Sequence, residues 1–262
     1  MNHRKFTAVL SAAVLCTVIP LTGCAKAEKE FQILYEDVAE ICLYKRPDIA
    51  QVVQIPLIVN QQVDEFIISE ISGEHIDPDH IGINCGFISE NDSRYTYLIS
   101  LSFQWNDYVE SDADVIIESL DLMIGDKTYE YNFGKAVILN EICQNNCDAV
   151  LFSSLGTGIS QLDFFEFDLD FQDDVTLLSI DNTIDLPLKN AFEYLKEYDK
   201  GTHTEFMLDA DASNFNKLYY AFDFSVRYQY NNEEQKFYFV PMPVQSSIEG
   251  RLPDFLEANP LS

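Results

Sequence analysis

Apolar and polar residues alternate with a period of two along most of this chain, the pattern of strands with one face on a core and the other in water. Tyr95, Tyr97, Ile99, Leu101, Phe103 and Trp105 form one such row, with Thr96, Ser100, Ser102 and Gln104 between them. Ile116, Leu120, Leu122 and Ile124 lead into Gly125-Asp126, and Tyr129, Tyr131 and Phe133 return from it. That dipeptide suits a two-residue hairpin turn, because Gly supplies the positive φ. Phe165, Phe167, Leu169 and Phe171 alternate with Glu166, Asp168 and Asp170, and Val175 to Ile180 is a short β-branched and Leu run. The longest row is Leu218, Tyr220, Phe222, Phe224, Val226, Tyr228 and Tyr230, which Asn231-Asn232-Glu233-Glu234 turns into Phe237 to Val240.

A spacing of 3.6 appears twice, at Phe31, Leu34, Val38 and Ile41, and at Leu188, Ala191, Phe192 and Leu195. Pro187 before the second run and Gly201 after it are helix start and stop signals. Strands with one apolar face, joined by short polar turns, build antiparallel sheets packed face to face. The expected fold is therefore mainly β, an antiparallel β-sandwich of immunoglobulin-like type with one or two short helices. The Cys…Trp…Cys spacing of antibody domains is missing. The expected organisation is a leader over 1–23, a partly helical segment over 24–46, the sandwich over 47–182, and a helix with a β-hairpin and C-terminal tail over 183–262.

Composition narrows the partners. The chain has 262 residues, 47% of them apolar, enough for a sizeable core. It holds 44 Asp and Glu against 16 Lys and Arg, a net charge of -28. Such a surface is repelled by phosphate backbones, which argues against nucleic acid, and by anionic bilayers, so membrane attachment must be covalent or apolar.

The N-terminus supplies such an attachment. Arg4 and Lys5 precede a mostly apolar run from Phe6 to Leu21, shorter than the ~20 apolar residues of a comfortable membrane span. The run ends in Leu21-Thr22-Gly23-Cys24. This box, in this order after charge and apolar run, resembles the lipobox of bacterial lipoproteins; the resemblance covers residues 1–24 only. It implies that the Cys24 thiol carries a diacylglycerol and that cleavage falls between Gly23 and Cys24. Cleavage there removes Arg4 and Lys5 and no acid, taking the net charge from -28 to -30. The implied location is the extracytoplasmic face of a cell membrane, with the membrane itself as a partner through the lipid.

Of six cysteines, Cys16 lies in the leader and Cys24 in the box. The remaining four allow two disulfides outside the cytoplasm. Cys143 and Cys147 could close a short polar loop, leaving Cys42 with Cys85 as a long-range bridge; reduced, buried thiols are the alternative.

Catalytic motifs are sparse. The chain has no G-x-S-x-G elbow, no P-loop and no GxGxxG; Gly156-Thr157-Gly158 lacks the rest of either glycine motif. His75, Asp77, Asp79 and His80 are ligand types, but Pro78 fits the second position of a type I turn begun by Asp77. Glu166, Asp168 and Asp170 stand on one strand face about 6.5–7 Å apart. Like charges in a row repel unless a cation or basic neighbours intervene, so the row admits Ca²⁺ as a cofactor; the competing reading is a hydrated solvent face. Asp209-Ala210-Asp211 opens like an EF-hand loop but Asn214 and Tyr220 replace its Gly and Glu. No catalytic residue is singled out. The expected function is a lipid-anchored extracytoplasmic protein that binds a protein or glycan of the bacterial envelope. The alternative is an extracellular hydrolase using carboxylates or a bound metal.

Overall fold

The computed structural model describes residues 30–46, 50–105, 113–142, 150–157, 164–171, 175–184, 188–189, 196–197, 203–210, 215–239 and 244–261. In chain order the strands are β1 (Ala39–Lys45), β2 (Gln51–Val59), β3 (Ile67–Glu74), β4 (Ile81–Asn91), β5 (Arg94–Phe103) and β6 (Val115–Ile124). There follow β7 (Lys127–Tyr131), β8 (Gly134–Ile142), β9 (Val150–Thr157), β10 (Phe164–Phe171), β11 (Thr176–Asn182) and β12 (Leu188–Lys189). The last are β13 (Lys196–Glu197), β14 (His203–Ala210), β15 (Tyr219–Phe222), β16 (Phe224–Tyr230), β17 (Glu233–Tyr238) and β18 (Val244–Gln245), and helix α1 (Ile248–Ala258) follows them.

The protein is mainly β, as its alternation predicts. Ile124 pairs with Lys127 across Gly125-Asp126, where Gly125 has φ +64, so the expected two-residue hairpin forms. Asn231 and Asn232, at φ +52 and +64, make a second tight hairpin between β16 and β17, and Asp92 and Ser93 a third between β4 and β5. Asn and Asp tolerate this left-handed region because their side chains bond locally.

The sheets are not purely antiparallel. One sheet runs β18-β15-β1-β8-β6-β3, with β7 also on β6, and β1 is parallel to both of its neighbours, β15 and β8. A second runs β2-β5-β4, a third β12-β14-β10-β9 with β13 on β14, and a fourth β11-β16-β17. The parallel contacts place a strand from 24–46 between strands from 47–182 and 183–262. By its contacts Phe31–Ser262 is one unit.

One core draws Ile41 and Leu43 from β1, Ile55 and Leu57 from β2, Ile99 and Leu101 from β5, and Ile117 and Leu120 from β6. It therefore lies between the first and second sheets, and α1 packs onto it through Ile248, Leu252 and Leu256. A second core joins Phe165 and Leu169 of β10 to Phe224, Val226 and Tyr228 of β16. Strand β15 serves both: Tyr219 and Ala221 belong to the first core, Tyr220 and Phe222 to the second. Successive side chains point to opposite faces of a strand, so a strand buried on both faces can divide two cores.

Residues 218–230, which alternate like one strand, are two. The break is Asp223, where the chain leaves the first sheet for the fourth. Its carboxylate accepts a hydrogen bond from the Tyr44 amide at 2.8 Å and pairs with Arg46. Burial pushes this carboxyl above its ordinary range, against the pull of the Arg46 guanidinium and the Tyr44 N–H. Gln51 completes the seam, donating to the Tyr44 carbonyl at 2.9 Å and accepting from Trp105 Nε1 at 2.9 Å.

The expectation of a helix over 31–41 changes. Residues 31–41 form no helix: Ile33 makes an isolated bridge to Val59, and Ala39 onward is β1. Only Ile41 of the four spaced apolar residues lies in β1; Phe31, Leu34 and Val38 belong to the irregular lead-in before it, so the spacing joins two different local structures. In the second run Leu188 and Lys189 are strand β12, and 190–195 lie outside the described residues. The helix that does form, α1, begins at Ser247, whose side chain accepts from the Gly250 amide at 3.1 Å, a standard N-cap.

Candidate functional site

Among the described residues an open groove of about 550 Å³ lies between two edge strands, β3 of the first sheet and β4 of the second. One wall is the segment Gln62 to Ile68, which enters β3; the other is Ile83, Asn84, Cys85 and Phe87 of β4, and Tyr97 of β5 contributes between them. Three large apolar side chains stand open to solvent here: Ile67 at 51%, Ile83 at 46% and Phe87 at 52% exposure.

The floor is fixed by Tyr97. Its hydroxyl accepts from the Val63 amide at 2.8 Å and donates to the Val63 carbonyl at 3.0 Å. This pair of hydrogen bonds to Val63 satisfies a half-buried hydroxyl and holds the 62–68 segment against β5. The Tyr97 ring meets Phe66 and Phe87 edge-on, with centroids 5.6 and 5.5 Å away, the arrangement aromatic quadrupoles prefer. Cys85, between Ile83 and Phe87 on the same strand face, is half-buried, and burial pushes its thiol up to about 12. At neutral pH it is a neutral, apolar surface rather than a nucleophile. Asp64 and Glu65 are the charged residues of the lining, which contains no Lys or Arg. The groove thus presents aromatic and aliphatic surface under a negative rim.

Apart from Cys85, a disulfide candidate, the sequence does not point to these residues as a site. The groove arises where segments far apart in the chain meet. One signal was available: Ile81 to Ile88 carries no charge in a chain with 44 acids.

Of the residues the sequence singles out, Cys85 lines the groove; the others do not line it or fall outside the described residues. Cys24, Cys143 and Cys147 are outside the described residues. Cys42 and Cys85 are both free thiols, in the first and second sheets respectively, so the expected long-range bridge between them is not formed. Cys42, beside Thr183, is pushed up to about 11, chiefly by burial. His75-Ile76-Asp77-Pro78-Asp79-His80 contains the expected turn: the His80 amide donates to the Asp77 carbonyl at 3.1 Å, and its Nδ1 lies 3.0 Å from the Asp77 carboxylate.

Glu166, Asp168 and Asp170 occupy alternate positions of β10, while Phe165, Leu169 and Phe171 of the same strand are buried. Their cross-strand partners on β14 are Met207, Glu205 and His203 in turn. In register, Glu205 is therefore opposite Asp168 and His203 opposite Asp170, and Lys196 of β13 is the backbone partner of Glu205 on its other side. Among the described residues no three His, Cys, Asp or Glu side chains are gathered to hold a metal, and no helix is long and apolar enough to cross a membrane.

No family model and no curated protein matches this chain. Among solved structures, one described as Yersinia pseudotuberculosis adhesin InvE is similar over 80% of this chain, at 7% identity and a TM-score of 0.21. The likeness spans 59% of that chain, less than two thirds of its length. At this score it supports no argument on fold or function.

Proposed function

We propose that this chain is a lipid-anchored extracytoplasmic binding protein of a bacterial cell envelope, held at a bilayer through Cys24 and meeting a protein partner on the groove between β3 and β4. The observation that carries the binding role is the exposure of Ile67, Ile83 and Phe87 together beside one groove. Scattered exposed apolar residues are ordinary, but a grouped apolar patch with a polar rim marks an interaction surface. The anchor rests on Leu21-Thr22-Gly23-Cys24 and the charged and apolar run before it. An anchored body of net charge near -30 is pushed away from anionic lipid, which leaves its groove open to the surroundings. The immunoglobulin-like sandwich belongs to the same reading. Its support is the core shared by the first and second sheets; its departure from the pattern is the parallel pairing of β1.

The test is photo-crosslinking in intact cells, with a photoreactive phenylalanine analogue at position 87 or, as a control, at exposed Leu178. An adduct of discrete mass from position 87 alone, lost when Cys24→Ala releases the chain, is the expected result. Equal adducts from both positions, or none from 87, would contradict the proposal.

A further inference from the structure

Each sheet edge is a row of unpaired amides and carbonyls, and proteins guard such edges with charge, Pro, bulges or cover. The second sheet guards one of its two edges. Strand β2 contains Pro56, which has no N–H to offer, and its end is covered by the Ile33–Val59 bridge and the Leu34 amide bonded to the Ile58 carbonyl. Across the groove, β3 carries exposed Glu70 and Glu74 and two register shifts.

Strand β4 has none of this over its first seven residues. Among the described residues nothing pairs with its outer edge, Ile81 to Ile88 includes no charge and no Pro, and its register shift comes only after Phe87. Gly82 and Gly86 present no side chain, and a Cβ at Gly86 would meet open space. The groove lies along this bare edge, with Ile83 and Phe87 on the strand face that also carries core residue Ile81.

We infer that β4 is a docking edge, which adds an extended segment of a partner protein as the next strand of the β2-β5-β4 sheet. The inference rests on the groove being the binding face, as proposed above. An added strand places alternate side chains about 6.5–7 Å apart on one face. On the groove face these lie beside Ile83 and Phe87 and opposite Ile67, so they are apolar. The backbone bonds of the edge supply affinity and the groove supplies selectivity, as in other cases of strand addition. The charge of the segment follows from Asp64, Glu65, the lack of lining cations and the net charge of -28: it is basic. The same charge disfavours a second copy of this chain as the occupant.

The experiment uses the full-length chain in neutral detergent micelles and a blocked decapeptide alternating valine with lysine. Backbone amide exchange is followed by mass spectrometry and affinity by titration. The alternating valine–lysine peptide should slow exchange over Ile81–Ile88, and Phe87→Arg should weaken its binding by about tenfold or more, while Leu178→Arg leaves it unchanged. If Phe87→Arg alters the circular dichroism spectrum, Ile67→Arg on the facing wall replaces it, with the same expected loss. Equal binding of a valine–glutamate peptide would overturn the charge assignment. Equal binding of a peptide with its valines and lysines in two blocks, or protection away from β4, would overturn strand addition while leaving the groove as the binding face. Protection of β4 that grows with protein concentration alone would assign the edge to a second copy and overturn the inference. A failure of the cellular crosslink with β4 protection intact would count against the envelope role and not against the edge.

Discussion

Arg46 and Asp223 are a buried ion pair, 3% and 1% exposed, placed where the chain passes from β15 to β16 and so from one sheet to another. Removing one member of such a pair strands the other charge, at a cost of about 3–5 kcal/mol. Asp223→Asn should therefore lower the unfolding free energy by that order in urea titration. Replacing both, as Arg46→Met with Asp223→Leu, should cost clearly less than the two single changes added together, because neither charge is then left unpaired. Additive losses would show that the pair is not coupled.

The two described thiols make a pH prediction. Cys42 is pushed up to about 11 and Cys85 to about 12 from an ordinary value of 9.0, mainly by burial. The fold holds both neutral, so their contribution to stability is present below about pH 9 and lost as the pH rises through 11 and 12. At pH 8 a thiol titrating at 12 is ionised in roughly one molecule in ten thousand. Iodoacetamide mapped by peptide mass spectrometry should label both sites far more slowly in the folded protein than in urea, with the rate climbing steadily toward pH 11. Rapid labelling of Cys85 at pH 8 would contradict this burial.

Gly134 opens β8 directly against β1, with φ +121, and a Cβ built there would lie 2.1 Å from the Ala39 carbonyl oxygen. Gly134→Ala should cost more than the roughly 1–3 kcal/mol of a strained backbone alone, since β1 and β8 must also separate. Gly125, at φ +64 in open space, is the control. Gly125→Asn should be nearly neutral, because Asn accepts that conformation. Thermal melts of the two variants compare them directly.

These sites show where the sequence speaks clearly. Strands with one wet face were legible, as at Tyr97, Ile99, Leu101 and Phe103 of β5, all buried with half-exposed neighbours at Leu98, Ser100 and Ser102. Elements that break a local rule were not. Phe31, Leu34 and Val38 precede β1 and only Ile41 lies in it, so their helical spacing runs across an irregular lead-in and a strand. Helix α1 contains Gly250 and Pro253, which hide the spacing of Ile248, Leu252 and Leu256. Asp223 reads as one more polar position in a strand, and its partners, Arg46 and the Tyr44 amide, lie far away in the chain. The groove was illegible for the same reason: Val63 and Tyr97 meet by tertiary contact alone.

The acidic row on β10 separates two readings by its response to salt. As a hydrated face, it is relieved by any screening ion, so NaCl should raise the melting temperature and CaCl₂ at equal ionic strength should do no better. Asp168→Asn should then stabilise the fold slightly, by easing repulsion from Glu205 on the neighbouring strand. A rise specific to millimolar Ca²⁺, erased by Asp168→Asn, would instead establish a cation site by mass action.

Everything proposed for the groove in a cell requires a chain held at a bilayer through Cys24. The direct measurement is the intact mass and N-terminal peptide of the protein purified from its own host. The expected result is a chain beginning at Cys24 with a diacylglycerol mass on its thiol, and loss of that species from the membrane fraction in Cys24→Ala. An unmodified chain that begins at another residue would contradict it.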